Sequence, residues 1–315
     1  MCVSVVIVNF NSGGLLARCL ECLRRQTVVP ERVFVIDNAS TDGSWNVTGI
    51  SMEGLTVIRS EKNLGFAAGN NLALEKCTTP FVALLNPDAF PEIDWLERLL
   101  DTARIHPEYA MFGSRLISGE DPSRLDGDGD HYHVSGVVWR EGHMRRPVPA
   151  ATPWEVFSPC AAAALYRTEA LREVGGFDED FFCYLEDVDL GFRLRLKGYR
   201  CLQVPRALVH HLGSATTGGQ RGDFAVYHGH RNLVWTYVKN MPAVLFWLFL
   251  PLHIVVNIVG VALGFQRGHG KTMVRAKIDA VSAIREVWRK RTKIQATRTV
   301  SPMEILRVLD KRMFR

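Results

Sequence analysis

The chain has 315 residues, 47% hydrophobic and 23% charged, the make-up of a folded globular protein. Intrinsic disorder, a collagen-like repeat and a small disulfide scaffold are excluded. The formal charge is only +5, but residues 266–315 hold 14 Lys+Arg against 4 Asp+Glu, a net of +10 that leaves −5 on the preceding residues. An acidic body is followed by a basic tail. The seven cysteines show no paired spacing; Cys19 and Cys22 share one helical face and read as core-facing thiols in a reducing compartment. Residues 1–10 lack the charged n-region of a signal peptide, so the body is expected to stay in the cytoplasm.

In chain order, residues 3–8, 32–36, 55–58 and 81–85 are short apolar or β-branched runs, suited to strands buried on both faces of a parallel sheet. Residues 15–26, a short turn after Thr41, 67–76 and 93–105 read as the intervening helices. This alternation predicts a doubly wound α/β domain. Residues 126–130 carry alternating aspartates without the rest of a calcium loop and read as a solvated or acceptor-facing loop. A small-residue strand and a helix follow from Cys160. Residues 200–204 and 207–209 predict two closing strands, the second ending in His210-His211.

Residues 243–265 carry no formal charge, enough for ~35 Å of helix. A straight crossing would place the basic tail and the body on opposite sides of a membrane, against the charge rule. A re-entrant hairpin bent at Pro251, or an in-plane helix pair, keeps both on one side, with the basic segment 272–293 facing anionic headgroups. The predicted division is a catalytic domain over 1–232 and a helical membrane-association region over 233–315. The tail has few aromatics to stack bases, so nucleic acid is not an expected partner.

Polar residues stand at each strand exit, where open α/β sheets bind ligands. Asp37 can accept a hydrogen bond from a pyrimidine N–H, and Ser40, Thr41 and Asp42 offer a helix cap. Asn86 and Asp88 flank Pro87 beyond a buried strand, where a carboxylate can hold a divalent cation against a diphosphate. Glu186, Asp187 and Asp189 open a helix, where the macrodipole favours anions. Asp187 and Asp189 point to different faces, so only one of them is expected at a reacting centre, where a carboxylate beside aromatics can serve as general base.

In this order, VVIVNFNS, VIDNASTDGS, EKNLGFAAGNN, LLNPDA, GGFDEDFFCYLEDVDLGFRL and VHHLGSAT resemble the family 2 inverting glycosyltransferases, and among them the rhamnosyltransferase-like branch of bacterial surface polysaccharide synthesis. The resemblance covers roughly residues 3–240. It implies a GT-A fold, a nucleotide-diphosphate-sugar donor (dTDP-rhamnose first, a UDP-sugar next) and a Mg²⁺ or Mn²⁺ ion. By position, Asn9, Asp37 and Asn63 would contact the nucleoside, Gly65 and Phe66 would shape its wall, and Asn86 would stand beside the donor. Asp88 and His211 would hold the metal, Arg231 would help hold the diphosphate, and Asp187, paired with Glu186, would be the catalytic base. The implied acceptor is a hydroxyl of a lipid-linked glycan at the cytoplasmic face of the bacterial inner membrane, with the enzyme monotopic, re-entrant or peripheral. Two other readings stand beside it: a polyprenyl-phosphate glycosyltransferase, whose phosphate acceptor needs no base, and a non-catalytic nucleotide-sugar-binding scaffold at the membrane.

Overall fold

The structure, a computed structural model, describes residues 2–213 and 222–312. Its first third alternates as the hydrophobic pattern predicts: β1 (Val3–Asn9), α1 (Leu15–Arg24), β2 (Arg32–Asp37), β3 (Leu55–Arg59), α2 (Gly65–Leu74) and β4 (Phe81–Leu85). β1 pairs in parallel with β2 and β4, and β2 with β3. Next come β5 (Ala89–Pro91), α3 (Trp95–Ile105), β6 (Tyr109–Ser118), β7 (Leu125–Gly127), β8 (Asp130–Tyr132), β9 (Val138–Arg140) and β10 (Trp154–Val156). β11 (Ala163–Arg167), α4 (Thr168–Glu173), a 3₁₀ turn (Glu179–Phe181), α5 (Glu186–Leu196) and β12 (Arg200–His211) complete the body.

The main sheet runs β10-β12-β6-β11-β4-β1-β2-β3, with β11 antiparallel to both of its neighbours. Because strand side chains alternate, Val5 and Ile7 join Leu16, Leu20 and Trp95 on one face, while Val6 and Val8 join Ala67, Tyr166 and Leu190 on the other. Helices therefore cover both faces, and the strand ends are left to carry chemistry.

Three local expectations are corrected. No helix forms after Thr41: Asn11 Oδ1 accepts from the Thr41 N–H at 2.8 Å, and Asp42 accepts from the N–H groups of Gly13 and Ser44. Side chains thus take the backbone groups that a helix would use. The two closing strands are one, β12, whose register with β6 shifts between Val204 and Leu208, where Pro205 removes a ladder donor. The aspartates of 126–130 are not solvated; Asp126, Asp128 and Asp130 are all buried. Asp128 forms an ion pair with Arg115 at 2.6 Å and accepts from Gln203.

The remaining chain forms α6 (Asp223–Asn240), α7 (Ala243–Gln266), α8 (Gly270–Ser282), α9 (Ile284–Ala296) and α10 (Pro302–Val308). The division expected at residue 232 falls inside α6, which runs unbroken through it. A third apolar cluster, including Tyr132, Phe157, Phe192, Trp235 and Val287, ties these helices to β8 and α5. Of the two arrangements expected for 243–265, the hairpin bent at Pro251 does not form: α7 is one continuous helix with Pro251 inside it. It crosses α8 closely at Gly264, where an added Cβ would lie 2.1 Å from Met273 Sδ.

Charge also joins the tail to the body. The Lys239 ammonium of α6, 1% exposed, pairs with Asp178 and lies 2.7 Å from Asp189 of α5. Removing one partner of a buried ion pair strands the other charge and costs about 3–5 kcal/mol. Arg193 still faces Asp189 and Lys290 still faces Asp178 when Lys239 is removed, so Lys239→Met is expected to lower the unfolding free energy in urea titrations by less than that, about 1.5–3 kcal/mol for lost hydrogen bonds to charged groups.

Candidate active site

A cavity of about 1080 Å³ opens at the carboxyl ends of β1 and β4. Asn63, Gly65 and Phe66 line one side, Asn86 and Asp88 follow β4, Glu186 and Asp187 open α5, and His211 ends β12. Acidic groups a hundred residues apart in the chain thus face a common space.

Asn9 and Asp37 stand one layer behind the cavity wall, both fully buried. Asn9 Nδ2 donates to Asp37 Oδ1 at 3.0 Å, and Arg59 Nε approaches Asp37 Oδ2 at 3.4 Å. In front of them Asn38 lines the cavity; its Nδ2 donates to Gly65 O, while its buried Oδ1 has no protein partner. Gly65 has φ +82°, and a Cβ there would lie 2.6 Å from the Phe182 ring and carbonyl. Only glycine lets the wall after Asn63 approach the segment leading into α5 this closely.

At the exit of β4, His211 Nε2 lies 3.3 Å from Asp88 Oδ1, and His211 Nδ1 is 2.8 Å from Asp126 Oδ2. Burial opposes a charged ring, yet the Asp126 and Asp88 carboxylates outweigh it and raise the His211 pKa to about 9. Among the described residues no three His, Cys, Asp or Glu side chains cluster as a metal cage. Two protein ligands suffice for a Mg²⁺-type ion that shares its shell with water and substrate phosphate. The buried Nε2 has no hydrogen-bond partner, and two adjacent octahedral ligands at about 2.1 Å from an ion lie about 3 Å apart. Asp126 on Nδ1 supplies the outer carboxylate that orients a ligating histidine. With the Nε2 proton released on binding, the donor set fits a small divalent cation.

The acids of α5 are aimed by a strained segment. Phe182, Tyr184 and Leu185 all have φ near +65°, a region that costs non-glycine residues energy unless neighbours enforce it. Asn232 is the enforcer: its buried Nδ2 lies within 3.0 Å of the carbonyls of Phe181, Cys183 and Tyr184. Asp187 then faces the cavity, its two oxygens accepting from the N–H groups of Ala161 and Val188. Asp189 turns the other way, to Arg193, Lys239 and Asn240, in a structural role. Burial, with Asp187 and Asp189 behind it, pushes the Glu186 carboxyl well up, and its Oε2 has no partner.

Arg231 does not reach the cavity. Its guanidinium donates to the carbonyls of Asp180 and Phe181 and lies over the Trp235 ring, so it positions the 3₁₀ turn rather than holding the diphosphate. Residues 214–216 of the VHHLGSAT motif lie outside the described residues.

Comparison with known proteins matches residues 4–175 to Glycosyl transferase family 2 and residues 132–266 to Glycosyl transferase family group 2. The N-acetylglucosaminyl-diphospho-decaprenol L-rhamnosyltransferase of Mycobacterium tuberculosis is 30% identical over 258 residues, covering 71% of this chain and 80% of its own. The chain belongs to glycosyl transferase family 2. Its fold is GT-A-like: the mannosyltransferase PcManGT of Pyrobaculum calidifontis, solved with GDP-Man and Mn²⁺, superposes over 94% of this chain and 85% of its own with TM-score 0.57 at 18% identity. GalNAc-T7, solved with UDP, GalNAc and Mn²⁺, does so over 76% and 48% with TM-score 0.59 at 16% identity.

Arg140 of this sugar-transferring enzyme carries no mark in the sequence that sets it apart from other arginines, and the aspartates expected in a loop surround it. Arg140 Nη1 donates to Asp126 at 2.7 Å, Nη2 to Cys160 Sγ at 3.0 Å, and Nε lies 3.6 Å from Asp130. Period-two spacing of Asp126, Asp128 and Asp130 was the available signal, since alternation marks a strand as readily as a loop. Burial, opposed by Arg140 and reinforced by Asp187 and Asp126, raises the Asp130 pKa to about 7. Between about pH 4 and 7 the native protein holds a proton there that the unfolded chain has released, so this group's stabilising contribution falls as pH rises. Asp130→Asn cannot ionise, and its loss of melting temperature from pH 5 to pH 8 is expected to be smaller than that of the parent protein. An unchanged difference would show that Asp130 keeps an ordinary carboxylate pKa.

Proposed function

We propose that this enzyme is an inverting transferase that moves L-rhamnose from dTDP-rhamnose onto a hydroxyl of a lipid-linked glycan, with Asp187 as general base. The observation that carries this reading is the convergence of Asp88, His211 and Asp187 on one cavity. The rhamnosyl donor and lipid-linked acceptor are supported by the M. tuberculosis relative, whose name gives that chemistry.

Asn63, Gly65 and Phe66 form the donor wall, backed by Asn9 and Asp37. Asp88 and His211 would hold a Mg²⁺ or Mn²⁺ ion, which when bound neutralises charge on the diphosphate. Asp187 takes the acceptor hydroxyl proton as the oxygen bonds to the anomeric carbon, and the sugar–phosphate C–O bond breaks with its electron pair leaving on the nucleotide. A single displacement inverts the centre. Glu186, kept neutral by burial, spares Asp187 a second adjacent anion.

The proposed placement is at the cytoplasmic membrane face with α7 in the plane of the bilayer. Leu245, Phe246 and His253 are buried on one side of α7 and tie it to the body, and Gly264 packs on Met273 of α8. A crossing would drag the charged α8 into hydrocarbon, at about 2.5–3.5 kcal/mol per charged residue.

General-base assistance contributes ~10²–10⁴-fold, so Asp187→Asn is expected to lower transfer turnover by that range while leaving nucleotide-sugar affinity within about twofold in calorimetry. Normal turnover would remove Asp187 from the mechanism. In thermal shift with Mn²⁺, dTDP-rhamnose should raise the melting temperature more than UDP- or GDP-sugars, since a ligand that binds only the native state stabilises it. A larger shift with another donor would replace rhamnose in this reading.

A further inference from the structure

The cavity does not end at the acids. Beyond them its lining passes Leu233 of α6 and reaches Val256, Asn257 and Gly260 of α7, with Trp139 of β9 also contributing. The walls are physically joined: His253 of α7 lies 2.6 Å from the Ser135 carbonyl in the β8–β9 turn, and Asn257 donates to the His253 carbonyl. This arm is roomy because two helices present glycines to it. A Cβ on Gly229 would meet nothing within 4 Å, and one on Gly260 nothing nearer than 3.9 Å.

The other face of α7 is unlike that of a soluble protein. Trp247, Leu248, Ile254 and Ile258 are each at least half exposed, and only 17% of the helix's most apolar stretch is buried. A contiguous apolar face of this size marks a membrane-contacting surface. The inner stripe of one helix therefore borders the acid-lined cavity while its outer stripe is exposed and apolar, and the basic helices α8 and α9 follow it in the chain.

We propose that the arm bounded by Trp139, Leu233, Val256 and Gly260 binds the hydrocarbon chain next to the headgroup of the lipid-linked acceptor, which enters from the bilayer beside α7 and brings its hydroxyl to Asp187. This assignment rests on the transferase reading above. The arm is the subsite that a lipid chain needs and a free sugar does not: apolar, continuous with the bilayer-facing helix, and open to the base.

The test uses the full chain in nanodiscs of mixed neutral and anionic phospholipid, with a diazirine-bearing farnesyl diphosphate as probe. Photolabelling is expected on residues 256–260 and on Trp139, with displacement by unlabelled farnesyl diphosphate. Gly260→Phe, which fills the arm, should cut that labelling at least tenfold while dTDP-rhamnose affinity and donor hydrolysis stay within twofold. Gly260→Ala, whose Cβ fits, should keep it and so controls for folding. Labelling confined to the outer stripe at Trp247, Leu248 and Ile254, or labelling indifferent to Gly260→Phe, overturns the assignment. If that happens while donor turnover persists, the arm alone falls and the transferase reading stands. If the arm is labelled but no nucleotide-sugar binds or turns over, the transferase reading falls and takes the acceptor assignment with it.

Discussion

Concentrating carboxylates in a desolvated cleft is the constraint on which this molecule is organised. Asp88, Asp126, Asp130, Glu186 and Asp187 stand in or against one cavity, and each anion there raises the cost of the next. The protein answers in three ways. Arg140 reaches between Asp126 and Asp130. Asp130 and Glu186 shift toward their neutral forms. His211 bridges Asp126 and Asp88 with a ring whose charged form burial alone would disfavour. The Asp88 and Asp187 carboxylates line the same cavity.

The same arrangement explains why the region after residue 222 is needed by the body. Phe182, Tyr184 and Leu185 hold their positive φ before α5 because Asn232 gathers the carbonyls of Phe181, Cys183 and Tyr184 around them, and Arg231 gathers those of Asp180 and Phe181. Lys290 of α9 adds a second cation to Asp178 and Asp180 in that turn. Helices that carry an exposed apolar face on α7 thus also scaffold the segment leading into Glu186 and Asp187.

Much of this was readable from the chain alone. The strand–helix alternation of the first hundred residues is legible because continuous apolar runs such as VSVVIV fit few environments other than a doubly covered sheet. The grouping of Asn63, Asp88, Asp187 and His211 is what the resemblance to family 2 implies, and the strand topology brings all four to one cavity. Three features stayed hidden for physical reasons. Side-chain capture of backbone N–H groups by Asn11 and Asp42 leaves no periodic mark, so a cap signature at Ser40 to Asp42 looked like a helix start. Arg140 is one arginine among many until the fold puts aspartates around it. A proline inside α7 predicts a break in water, but an apolar helix supported along one side keeps its axis despite the lost hydrogen bond.

Lys239 carries a practical consequence for handling the enzyme. Cutting the chain after β12 to remove its greasy end would leave Asp178 and Asp189 without their shared ammonium and the acid-bearing loop without its clamp. Water solubility is better sought by recolouring the outer stripe of α7 with glutamate or lysine, from Trp247 through Ile258, while its inner stripe is left intact. The greasy end is then a coat to be redyed, since the seams beneath it belong to the garment.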